Sequence, residues 1–120
     1  MDSFRKATKR DHRISMEIIV DAYTPEEQAM GWFYCLEEKL RFPFRAQCVA
    51  VRAISPLRKG DEVEVIGMAP EDECLHEMFV SIRWEKRRMA VPLKQLKPTS
   101  PADHGTREAV ADWHYWFKQD

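Results

Sequence analysis

A chain of 120 residues, 44% of them hydrophobic, is long enough for one buried core and too short to expect two domains. Its 19 basic and 20 acidic side chains leave a net charge of -1, so overall charge gives no case for a polyanionic partner and any electrostatic function has to be local. There is no run of about 18 apolar residues to span a membrane, the basic start "MDSFRKATKRDHRIS" lacks the apolar core of a secretory signal, and Cys35, Cys48 and Cys74 are too widely spaced for a disulfide framework. These features predict a cytoplasmic protein with reduced thiols and no membrane partner.

Residues 1–9 are polar and basic, with little apolar surface to offset the entropy of ordering, and read as a frayed tail that becomes helical near Arg10. In "DHRISMEIIVDAY" the spacing puts Ile14, Ile18 and Ala22 on one helix face and Glu17 with Asp21, four apart, on a neighbouring acidic stripe. "TPEE" then opens a second helix, with Thr24 as N-cap, Pro25 at the first helical position and Glu27 closing a capping box. Ala29, Trp32, Phe33, Leu36 and Leu40 follow as its buried stripe, and Phe42-Pro43-Phe44 ends it.

The period then changes. "AQCVAVRAI" (46–54), "DEVEVIGMA" (61–69), "EMFVSIRW" (77–84) and "RMAVPLKQL" (88–96) read as strands, the second and third alternating with Val63, Val65, Val80, Ile82 and Trp84 on one face. "PLRKG" and "WEKRR" supply the reversals, and "PLKQLKP" a short helical turn stopped by Pro98. This order predicts a small SH3-like antiparallel barrel over 44–98. A last helix over 105–118 carries the apolar stripe Val110, Trp113 and Phe117, with Glu108, Asp112 and Tyr115 on another face. The expected architecture is a single α+β domain over 1–120: a helical part at 10–42, the barrel, and the C-terminal helix.

No pattern of enzyme chemistry is present: no Gly-rich phosphate loop, no GxSxG, no HExxH, no CxxC, and His12, His76, His104 and His114 stand singly. Cys74 and His76 lack the second close pair that structural zinc uses, so a packed thiol beside a solvated imidazole is the plainer reading. "RWEKRR" puts cations beside Trp84, yet a charged hairpin tip ordinarily keeps a sheet edge soluble and Trp84 falls on the inward phase, so no nucleic-acid partner is expected. What recurs is carboxylates, most densely in "MAPEDECLHEM", where Glu71, Asp72, Glu73 and Glu77 lie together without a Lys or Arg. Clustered acids repel unless a cation offsets them, and hard cations such as calcium take six to eight oxygens (about that many in known sites). The DxDxDG loop of an EF-hand is absent.

The stretches "EIIVDAYTPEEQAMGWFYCLEEKLRFPFRAQC", "SPLRKGDEVEVIGMAPEDECLHEMFVSIRW", "AVPLKQL" and "AVADWHYW" together resemble the cyanobacterial calcium-binding protein family of the CcbP type, from about Arg10 to Phe117. The resemblance implies a small cytosolic protein, neither EF-hand nor enzyme, that binds Ca2+, buffers it and takes part in calcium signalling. The positions within the matching words that it offers as metal ligands are Asp21, Glu37, Glu38, Glu71, Asp72 and Glu73, with Asp112 in "ADWHYW" as a further candidate. Any protein partner is left unidentified by the sequence. The competing reading is a metal-independent SH3-like interaction module, in which the acids would spread as solvated faces instead of converging on one spot.

Overall fold

The computed structural model describes residues 2–117, and side chains from Thr8 onward. The basic start is helical: α1 spans Asp2–Arg13. The helix thus starts ahead of the expected Arg10, and at its C-terminal end long-range charge pairs hold it in place. Arg10 Nη1 donates to Asp112 Oδ1 at 2.9 Å, Arg13 reaches both Asp112 oxygens at 2.7 and 3.0 Å, and Tyr115 Oη donates to Asp11 at 3.0 Å.

After Arg13 the chain widens into a single π turn, Ile14–Ile18, closed by Ile19 N donating to Ile14 O at 3.0 Å. The extra residue per turn shifts the phase, and the helix stops; Asp21 then takes a left-handed φ of 60°. Glu17 and Asp21 thus form no acidic stripe, correcting the expectation of one helix through Tyr23. Ile14 and Ile18 still face inward.

Helix α2, Pro25–Lys39, has the cap its sequence specifies: Glu27 N donates to Thr24 Oγ1 and Thr24 N to Glu27 Oε1, both at 3.1 Å. Ala29, Trp32, Phe33, Leu36 and Leu40 are all buried. Gly31 is the point of closest approach to the π turn, where a Cβ would collide with the carbonyl oxygen of Ile18.

Five strands follow, β1 Phe44–Cys48, β2 Glu62–Met68, β3 Phe79–Trp84, β4 Arg87–Pro92 and β5 Leu96–Pro98. They form one antiparallel sheet in the order β4-β3-β2-β1-β5. The first strand ends at Cys48, well short of Ile54: Val49 N donates to Gln95 O at 2.7 Å and the buried Gln95 amide to Ala50 O at 2.9 Å, which turns 49–54 out as a loop with Val51 and Ile54 exposed. A short 3-10 turn, Leu93–Gln95, leads into β5, whose three residues pair with β1 through Ala46↔Pro98 and Cys48↔Leu96. Among the described residues no ladder joins β4 to β5, so the sheet is open where a barrel implies closure. The β3–β4 reversal is a two-residue turn with φ of 47° at Glu85 and 68° at Lys86, the left-handed pair that matches strand twist.

Helix α3, His104–Trp116, starts at Asp103, whose carboxylate accepts from Thr106 N at 2.8 Å. The helix end expected at residue 118 lies outside the described residues. Trp32 meets Trp113 edge-on at 5.2 Å and Trp116 at 5.5 Å, which locks α3 to α2, and Trp113 stacks on Phe117 at 4.7 Å at the end of its own helix. The sheet's inner face, with Val65, Val80, Ile82 and Val91, completes the core. No helix among the described residues is long and apolar enough to cross a membrane.

Candidate metal centre

The buried stripe of α2 turns its other side to solvent, and there Tyr34, Glu37 and Glu38 are exposed. Tyr34 and Glu37, three apart, share a face. Opposite them stands the 3-10 turn Glu71–Cys74 between β2 and β3. Its inner anchor is Cys74, fully buried: the thiol donates to Phe79 O at 3.5 Å and accepts from Phe79 N at 3.4 Å. Burial pushes this thiol above its ordinary value, so at neutral pH it is a packed SH and no thiolate ligand. Glu77 is held too, by a two-pronged ion pair with Arg52 at 2.7 and 3.0 Å. With the turn pinned on its C-terminal side, Glu71, Asp72 and Glu73 are left outside and exposed.

Tyr34 Oη donates to Glu71 Oε2 at 3.0 Å, tying the helix to the turn. That hydrogen bond and the carboxylate's charge raise the phenol above its ordinary value, keeping it protonated and donating. Between the two elements lies an open cleft of about 550 Å³ whose polar wall is Glu37 of α2, Glu71 and Glu73 of the turn, Ser81 of β3 and Arg88 of β4. Glu37, Glu71 and Glu73 are thus the candidate ligands brought together. The donors are all oxygens, which suits a hard cation, and the Cys and His ligands that zinc and copper sites favour are missing from the cleft lining. Among the described residues no three His, Cys, Asp or Glu side chains are already drawn close enough to hold an ion, so the carboxylates line a cleft and do not yet form a cage.

The other candidates lie elsewhere. Asp21 lines a separate hollow of about 390 Å³ together with Glu26 and Glu27. Glu38 and Asp72 are exposed neighbours that do not line the cleft. Asp112 is buried between Arg10 and Arg13, with both oxygens taken. Tyr34, Ser81 and Arg88 were not anticipated. The three-residue spacing of Tyr34 and Glu37 carried a signal for the first; Ser81 and Arg88 become neighbours of the turn only through strand pairing.

A protein family described as "Calcium binding" matches residues 12–117. No curated protein matches. Among solved structures, the crystal structure of Anabaena CcbP is 41% identical, superposes with a TM-score of 0.79, and the match covers 91% of this chain and 89% of that one. A structure described as a calcium-binding protein in the calcium-binding form is 40% identical with the same TM-score of 0.79, over 90% of this chain and 88% of that one. A family match over nearly the whole chain and two structural matches at about this level agree, and the chain belongs to the CcbP-type family of calcium-binding proteins.

Proposed function

We propose that this calcium-binding chain acts in the cytoplasm as a calcium buffer, as one domain, with the ion held in the cleft between α2 and the β2–β3 turn. The observation that carries the reading is the meeting of Glu37 with Glu71 and Glu73 across that cleft, braced by the Tyr34–Glu71 hydrogen bond. Three carboxylates offer up to six oxygens, enough with water or a backbone carbonyl for calcium at the usual distances of about 2.3–2.6 Å. The Glu side chains are exposed and long, so a bound cation would draw them inward from their present spread. The proposed role is binding and not catalysis, and the mode differs from an EF-hand, whose ligands come from one twelve-residue loop (about that length throughout the class). The strand order, with a 3-10 turn between β4 and β5, supports reading the open sheet as a strongly coiled SH3-like barrel.

Calorimetric titration of chelator-treated protein with calcium, repeated in excess magnesium, tests the reading. Glu37→Gln and Glu73→Gln should each weaken calcium by about tenfold or more. Arg88→Gln, which removes a competing charge from an exposed wall, should tighten it by about two- to fivefold. Asp21→Asn should leave it within about twofold if the second hollow holds no ion. Calcium affinity that survives the Glu37/Glu73 double substitution would move the metal out of this cleft. No heat from the unsubstituted protein would leave an interaction module that has kept the family fold.

A further inference from the structure

A second cavity, of about 430 Å³, opens where the end of α1, β5 and α3 meet, and it shares no lining residue with the acidic cleft. Arg10 of α1, Lys97 of β5 and Arg107 of α3 converge on it from distant parts of the chain, and none of the residues that line it is acidic. In a chain of net charge -1 this is a local excess of cations. Arg10 is fixed by Asp112 at 2.9 Å and Arg107 by donating its Nε to Ala102 O at 2.8 Å, so both guanidinium groups are oriented before any ligand arrives. Beneath the cations the accessible wall is apolar: Val49 is exposed and Ala111 half-buried, laid over the buried Leu96 and Val110.

The two halves of this cavity ask for different things. An inorganic anion would offset the cations and leave the apolar floor wet; an uncharged apolar molecule would cover the floor and strip water from the cations without compensation. We infer that this cavity binds a small organic monoanion, its carboxylate head on Arg107 and Lys97 and its short apolar body on Val49 and Ala111. The volume lies within the range of about 300–1,000 Å³ usual for small-molecule sites.

Chemical-shift titration of the whole chain with octanoate, and in parallel with octanol and inorganic phosphate, tests this. Octanoate should shift signals of Val49, Leu96 and Val110 saturably and bind at least about tenfold more tightly than either control. Lys97→Gln combined with Arg107→Gln, both exposed side chains, should weaken octanoate by about tenfold while the melting curve and the calcium titration stay as they were. Octanol binding as tightly as octanoate, or unchanged octanoate affinity in the double variant, would overturn the assignment of the anionic head. Absence of any saturable shift would overturn the site itself.

Discussion

Asp112 is only 2% exposed, and a carboxylate taken that far from water is tolerable only with opposite charge upon it. Arg10 and Arg13 supply that charge, and the hydrogen bond to Asp112 in turn raises the Arg13 guanidinium above its ordinary value. A buried carboxylate whose charge is already matched by two guanidinium groups has none left to offer calcium, so Asp112 serves the fold, joining α1 to α3. Asp112→Asn should therefore cost about 2–4 kcal/mol in chemical denaturation, less than a fully buried pair because both arginines keep contact with water. The same variant should bind calcium like the parent; a loss of calcium affinity without loss of stability would put Asp112 back among the ligands. Its carboxylate could be placed on a helix face from the sequence, but its partners could not, because they lie 99 and 102 residues away. Glu71 and Glu73 were legible for the opposite reason: four acids in one short loop with no neighbouring base are visible without any tertiary contact.

At the scale of elements, signals within a few residues were readable and signals across the chain were not. The α2 cap needs only Thr24, Pro25 and Glu27, and it forms as written. The alternation of Val63 with Val65 and of Val80 with Ile82 likewise needs only a period of two. Strand β5 is three residues long and is a strand only because β1 lies beside it. The segment 49–54 has strand composition, yet Gln95 turns it away. The π turn is the same kind of case: helical periodicity runs through Ile14 and Ile18 in the sequence, while the close seating of the Ile18 carbonyl on Gly31 is a contact across elements. That packing predicts an unusual sign. Gly→Ala within a helix ordinarily stabilises by about 0.5–1 kcal/mol, but Gly31→Ala sets a methyl group against backbone that has no side-chain rotamer to relieve it. The variant should lose about 2 kcal/mol, seen as a fall in melting temperature of roughly 5–10 °C. A melting temperature at or above that of the parent would mean that the π turn is free to move away.

For the molecule as a whole, the open sheet brings the two ends of the chain together: α1 and α3 are joined by ion pairs, and α3 is held to the sheet's far corner through Lys94 and His114. Lys94 Nζ donates to the carbonyls of His114 and Phe117, a cation at the end of α3 where the helix dipole favours one. His114 sits in the same corner with Nε2 donating to Leu93 O at 3.2 Å. Burial pushes its pKa below the ordinary value of 6.5, against the opposing hydrogen bond to Leu93 O and with a smaller push from the neighbouring Lys94 charge. The unfolded chain therefore takes up this proton at a higher pH than the folded chain does. Stability from this corner is complete above about pH 6.5, the unfolded value, and is lost as pH falls from there through the lower folded value. Asp103, whose pKa its bonds to Thr106 lower from 3.8, titrates in a more acid range, so the two contributions separate. Urea denaturation in the presence of chelator should show stability falling as pH drops below about 6.5, the unfolded histidine value. His114→Gln, which keeps an N–H for Leu93 O and removes the titration, should flatten that slope. An unaltered slope in the variant would assign the acid sensitivity to another histidine.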